Sequence, residues 1–193
     1  VEIGGVRYYA NGDGILKTGW QKAGGKSYYY GTDGQRAAGW KEIDGKVYYF
    51  DAAGTMQTGY QNGLPVQGSQ ADINTADYYF NNSGVLQTGW FRFSENKENV
   101  WKFFGKDGKE MEPKIDRDAG PKGDKVNGYR WYLVNNDWYC IQKDSKVLKG
   151  FYNIGTWRYY FDSTTGALKK GHFTDGKSWY YSDPATGAIN RSG

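Results

Sequence analysis

The feature that most constrains this chain is a repeat. Glycine followed by an aromatic ring recurs as Gly19-Trp20, Gly39-Trp40, Gly59-Tyr60, Gly89-Trp90, Gly150-Phe151 and, with an imidazole in the ring position, Gly171-His172. The first three pairs are 20 residues apart, and the later gaps are 30, 61 and 21. Between the pairs stands an aromatic triplet: Tyr28-Tyr29-Tyr30, Tyr48-Tyr49-Phe50, Tyr78-Tyr79-Phe80, Tyr159-Tyr160-Phe161 and Trp179-Tyr180-Tyr181. A turn ending in glycine follows each triplet, as in Thr32-Asp33-Gly34 and Ala52-Ala53-Gly54. Self-similarity at such a period marks a repeat architecture. Aromatic runs bounded by glycine turns read as strands and hairpins. The hairpins are expected at 26–40 and 46–60, with Gly24-Gly25 and Asp44-Gly45 connecting one hairpin to the next. Helical periodicity is absent.

A lone hairpin of this length is marginal in water. Stacked hairpins bury each other's rings, so the expected fold is all-β, a solenoid of repeated β-hairpins in which each unit contacts its neighbours. The residue inventory agrees, with 18 Tyr and 8 Trp against two Met. Burial must come from flat rings, which favour edge-on and offset contacts.

The long gap hides degenerate repeats. Trp101-Lys102-Phe103-Phe104 is one, and Trp138-Tyr139-Cys140-Ile141 is another, with Ile141 nine residues before Gly150 as Phe50 is before Gly59. The segment 112–127 is charged, holds Pro113 and Pro121 and has no aromatic residue. The expected organisation is therefore N-terminal hairpin repeats over 1–111 with an insertion loop at 61–76, a linker or long loop over 112–127, and C-terminal hairpin repeats over 128–193.

Several function classes are disfavoured. The net charge of +4, from 25 basic and 21 acidic residues, is too mild and too interspersed for a nucleic-acid surface. No apolar run approaches the roughly 20 residues of a membrane-spanning helix, so no membrane insertion is expected. No signal peptide is visible, and Val1 suggests a processed or excised fragment. Gly171 to Ser178 formally matches a phosphate-binding loop, but such a loop needs a helix after it and here Trp179-Tyr180-Tyr181 follows. His172, the single histidine, sits in a ring position and is read as packing. Cys140, the single cysteine, stands in a triplet and is read as a buried thiol. Acids such as Asp51 and Asp162 recur at equivalent turns, unlike the paired carboxylates of a glycosidase cleft. The chain is therefore expected to be non-catalytic, with no cofactor and no metal site.

The unit from Gly39 to Tyr60, with Trp40, Gly45-Lys46, Tyr48-Tyr49-Phe50-Asp51, Gly54 and Thr58-Gly59-Tyr60, resembles the cell-wall-binding repeat superfamily. That superfamily includes choline-binding modules of pneumococcal surface proteins, glucan-binding domains of streptococcal glucosyltransferases and the repetitive domains of clostridial toxins. The resemblance covers roughly residues 4–110 and 129–190. It implies a module secreted to the cell wall or surface of a Gram-positive bacterium, with ligand sites between successive hairpins.

Strand register narrows the ligand. Residues two apart share a strand face. Counting from each ring of a Gly-aromatic pair, or by alignment to the triplet for Asp77, Trp101 and Trp138, the eighth and tenth positions suit a packed face, while the seventh and ninth share the other. That other face should be exposed, because the seventh position tolerates Ser27, Val47, Asp77 and Arg158. Rings there can stack on sugars or cage a quaternary ammonium. The resemblance implies a Trp at the seventh position as one wall of a choline cage, and only Trp101, Trp138 and Trp179 supply it. The expected ligand is thus a polysaccharide, a glucan or other cell-wall glycan. Choline on teichoic acid is the alternative, and a structural spacer or protein-interaction arm is a third reading. The candidate contacts are the anchors Trp20, Trp40, Tyr60 and Trp90, the ninth-position Tyr29, Tyr49 and Tyr79, and the seventh-position Trp101, Trp138 and Trp179.

Overall fold

The computed structural model describes residues 1–69, 74–143 and 145–190. The named elements among them are all β-strands, in short antiparallel sheets. Two compact units divide the chain, one formed by 1–88 with 104–110 and the other by 89–103 with 111–193.

In the first unit a short pair, Glu2–Ile3 with Val6–Arg7, precedes three hairpins. These pair Gly19–Ala23 with Lys26–Tyr30, Gly39–Ile43 with Lys46–Phe50, and Gly59–Pro65 with Thr75–Phe80. The third carries a register irregularity between Gln61 and Leu64. Of the expected insertion 61–76, residues 70–73 lie outside the described residues. In the second unit a four-stranded sheet orders Ile115–Arg117, Tyr129–Val134, Asp137–Gln142 and Lys146–Val147. Two hairpins follow, Gly150–Ile154 with Trp157–Phe161 and Gly171–Thr174 with Trp179–Ser182. Each unit is a β-solenoid segment of stacked hairpins, all-β as the repeat predicts. The segment 112–127 contains the strand Ile115–Arg117, laid antiparallel against 131–133. Arg130 ties it down by bonding Asp116 and, at 3.1 Å, Asp118.

The phase of the hairpins differs from the sequence expectation. The tight turns are Gly24-Gly25 and Asp44-Gly45, and the hairpins span 19–30 and 39–50 rather than 26–40 and 46–60. Both residues of each turn have positive φ, 56° and 75° in the first and 51° and 70° in the second. A two-residue loop of that kind matches the right-handed twist of the strands it joins. The glycine turn after a triplet returns only a single bridge, from Tyr30 to Arg36, Phe50 to Met56, Phe80 to Leu86 and Phe161 to Leu168. It is the connector between hairpins.

These connectors hold the stack in register. A turn carboxylate or amide gathers backbone N–H groups: Asp51 Oδ1 accepts from Thr55, Asn81 Oδ1 from Ser83 and Val85, and Asp162 Oδ1 from Thr164 and Thr165. The chain then reaches back to the previous repeat. Met56 N–H donates to the Ser27 carbonyl (2.9 Å), Leu86 to Val47 (2.8 Å), Leu168 to Trp138 (2.7 Å) and Ile189 to Arg158 (2.8 Å). Every acceptor is a seventh-position carbonyl. This explains how that position tolerates Ser, Val, Trp and Arg: its repeated contribution is a main-chain carbonyl. The connector glycines have a second constraint besides positive φ. A Cβ on Gly108 would lie 2.6 Å from Leu86 Cδ2, and one on Gly187 would lie 2.7 Å from Leu168 Cδ2, each a side chain of the preceding connector.

Two outcomes are expected. Gly108→Ala should destabilise the chain more than Gly63→Ala in urea unfolding. Both have positive φ, 79° and 63°, but Gly63 has nothing within 4 Å of an added Cβ. The left-handed backbone costs about 1–2 kcal/mol at either site, and overpacking adds about 1–3 kcal/mol at Gly108 alone. The second outcome concerns acid. The Asp162 carboxyl is held well below its usual range, first by the Thr165 N–H and then also by Lys169. A depressed carboxylate stabilises the fold above its unfolded pKa, about 4, and loses that contribution as pH falls through the folded value. Asp162→Asn should keep the turn, because Asn81 fills the equivalent role. Its thermal midpoint should fall less steeply below pH about 4 than that of the unsubstituted chain.

Candidate functional site

The rings that the sequence marks as contacts meet at the junctions between hairpins. Cross-strand pairing sets each anchor opposite the ninth-position ring of its own hairpin: Trp20 opposite Tyr29, Trp40 opposite Tyr49 and Tyr60 opposite Tyr79. Directly opposed residues share a sheet face. Each anchor then packs on the eighth and tenth positions of the following hairpin. Trp20 lies 5.2 Å from Tyr29, 5.0 Å from Tyr48 and 5.9 Å from Phe50. Trp40 lies 5.0 Å from Tyr49, 4.8 Å from Tyr78 and 5.9 Å from Phe80. The first two contacts in each set are edge-on, as ring quadrupoles favour.

The face expected to be exposed is therefore only partly so. It forms the seat for the next hairpin, and Tyr29, Tyr49 and Tyr79 are half-buried. Position decides how open each anchor is. Trp20 keeps 42% of its surface, while the eighth- and tenth-position Tyr48, Phe50, Tyr78 and Phe80 are buried. Trp40 is further committed, since its indole N–H donates to the Pro65 carbonyl at 2.7 Å. Tyr60 donates its hydroxyl to Asp77 at 2.9 Å and also bonds Glu110. Burial, followed by those carboxylates, drives the Tyr60 phenol far above its usual pKa.

The second unit repeats the junction with different residues. Trp90 packs on Phe103 (5.2 Å) across the hairpin that pairs Gly89–Glu95 with Glu98–Phe104, and on Tyr132 (4.8 Å) and Tyr139 (5.6 Å) in the next. Trp131, opposite Cys140, packs on Tyr159 (5.2 Å) and Phe161 (5.8 Å) and is 1% exposed. Trp131 is a full anchor that the Gly-aromatic search misses, because Arg130 precedes it. Counting back ten residues from Ile141, as Trp40 stands ten before Phe50, finds it. Burial pushes the Tyr139 and Tyr159 phenols up to about 12. Burial likewise raises the thiol of Cys140, which is fully enclosed.

The seventh-position tryptophans part company. Trp138 is 8% exposed, belongs to the core cluster around Trp131 and lies under the Arg117 guanidinium at 5.2 Å. Trp101 is half-buried. Trp179 is 77% exposed, beside an exposed Tyr181. Where arginine holds the seventh position, the Arg158 guanidinium sits 4.1 Å from the centroid of the Phe151 anchor. The stretch 171–178 is a strand and hairpin turn, with Asp175 Oδ1 accepting from Lys177 and Ser178, and His172 stands opposite Tyr181 at 4.9 Å. Among the described residues no three His, Cys, Asp or Glu side chains converge as metal ligands, and no helix is long and apolar enough to cross a membrane.

A family model described as the cell wall binding repeat matches residues 18–35, 38–56 and 72–86. Among solved structures, CbpJ from Streptococcus pneumoniae TIGR4 is 28% identical, covering 95% of this chain and 56% of its own, with a TM-score of 0.44. Choline binding protein F from Streptococcus pneumoniae is 27% identical, covering 95% of this chain and 55% of its own, with a TM-score of 0.42. The choline binding domain of a further Streptococcus pneumoniae protein is 35% identical, covering 37% of this chain and 85% of that domain, with a TM-score of 0.29. This chain thus spans little more than half the length of the first two. No curated protein matches.

The junction geometry separates rings by structural cost. Trp131→Ala should lose about 3–5 kcal/mol in denaturant unfolding, the usual cost of deleting a large buried ring. Trp179→Ala should stay within about 0.5 kcal/mol, as exposed substitutions do.

Proposed function

The chain belongs to the cell wall binding repeat family, and we propose that it is a non-catalytic docking module that holds a polysaccharide, a glucan or cell-wall glycan, through exposed rings. The observation that carries the choice of ligand is the seventh position. Ser27, Val47 and Asp77 put no ring there. At the 150–161 hairpin the chain's own Arg158 cation covers the Phe151 ring where a quaternary ammonium would otherwise sit. A neutral sugar has no such charge conflict, and its C–H face packs on an open indole or phenol. Exposure supports Trp20 and Trp179 as contacts ahead of the other eight candidate rings. Several weak sites on one module reinforce each other through effective concentration. The family points to a secreted protein at the wall or surface of a Gram-positive bacterium, with 1–111 and 128–193 as two repeat blocks.

A second reading, choline on teichoic acid, is favoured by one observation: the 35% identical relative is a choline binding domain. In that reading the open Trp179 is the best wall for a cage.

The two readings divide on affinity chromatography of the 193-residue chain over an α-glucan resin and a choline-analogue resin. Retention on glucan with release by free oligosaccharide is expected, with passage through the choline analogue. Retention on the choline analogue with release by free choline selects the second reading. Passage through both leaves the chain as a spacer or protein-interaction arm.

A further inference from the structure

A cavity of about 170 Å³ lies within the second unit, lined by Lys122, Trp157, Tyr181, Asp183, Ala188 and Asn190. It stands apart from the repeat pattern in two ways. Lys122 comes from the segment 112–127, which the other repeats lack. Trp157 fills the sixth position after its anchor, where Lys26 and Lys46 stand in the first unit. One side of Trp157 packs against the core cluster around Trp131, and the Lys122 ammonium lies 4.6 Å from its ring centroid. Asp183 spends Oδ1 on its turn, accepting from Ala185 N–H, Thr186 N–H and the Thr186 hydroxyl. Its Oδ2 is outside that network. Tyr181 is 56% exposed.

The cavity wall thus presents an ammonium donor, a carboxylate acceptor, an amide that does both, and a phenol, on a surface whose formal charges cancel. A quaternary ammonium would meet Lys122, and an anion would meet Asp183. A neutral polyhydroxylated ring finds donors and acceptors together, with the Tyr181 ring for its C–H face. The volume is below the roughly 300 Å³ at which drug-sized sites begin, which suits one sugar residue rather than an oligomer. We propose that this cavity is a subsite for a single neutral pyranose of the bound glycan, separate from the anchor rings. The proposal rests on the glycan reading above and gives that reading a polar, orienting contact. Lys122 and Asp183 fix the hydroxyls, and Trp157 holds Lys122 in place.

The test titrates the intact chain with isomaltotetraose and with chitotetraose, following the tryptophan indole N–H signals by NMR. Lys122→Ala and Asp183→Asn are the variants, with circular dichroism to confirm the fold. Asparagine keeps the turn, as Asn81 does, and Lys122 lies in an exposed connection, so its alanine variant guards against misfolding of the other. The expected result is that the Trp157 signal moves with one tetramer, and that each variant weakens that tetramer at least fivefold. Binding that leaves the Trp157 signal still and is unchanged in both variants overturns the subsite and leaves the glycan reading standing. A chain that binds neither tetramer overturns the glycan reading, and the subsite with it.

Discussion

Everything in this molecule hangs on an aromatic ring pressed edge-on into the next hairpin. A two-stranded hairpin has two faces and no interior. Here one face carries the anchor and the ninth-position ring, and the other carries the eighth and tenth. Trp20 on Tyr48 and Phe50, then Trp40 on Tyr78 and Phe80, show the rule: the front of one hairpin is the back of the next. Each such ring pair contributes about 0.5–1.5 kcal/mol beyond the area it buries. Trp131 on Tyr159 and Phe161 keeps the arrangement even though the glycine before the anchor has become Arg130. The glycine is thus a backbone convenience, and the ring is the requirement.

That rule limits where a ligand can bind. A ring buried in fastening hairpins is unavailable to a partner, and Trp131, Trp138, Tyr48 and Tyr78 are spent in this way. Function falls to rings left open by position, such as Trp20 and Trp179, and to places where the repeat is broken. The segment 112–127 and Trp157 are such breaks. The repeat itself does not need them, and they set the Lys122 ammonium and the Trp157 indole beside the turn carboxylate of Asp183 and the Asn190 amide around one cavity. Regular positions build the stack, and irregular ones add chemistry beside them.

How much of this was legible beforehand varied by level. The period and the glycine turns were enough for an all-β hairpin stack, because 20-residue spacing leaves room for little else. Strand alternation was enough to place Tyr48, Phe50, Tyr78 and Phe80 on a packed face. The pairing phase was misread, since Gly24-Gly25 and the turn after Tyr30 both look like hairpin turns in one dimension. Only the strand twist, satisfied by two consecutive positive φ values, separates them. Trp131 was hidden by reliance on its glycine, although the distance to Ile141 pointed to it.

By itself the sequence determined the kind of unit, its repetition, the alternation of its faces and the reliance on aromatic burial. These follow from local spacing and side-chain type. Only the tertiary structure decided which turn closes each hairpin, which rings are consumed at junctions and which side chains from distant segments share a cavity. Those outcomes depend on what the following hairpin covers. Lys122 and Asp183 are 61 residues apart in the chain, and no local pattern relates them. They line one cavity because the stack folds the non-repeating segment against its last hairpin.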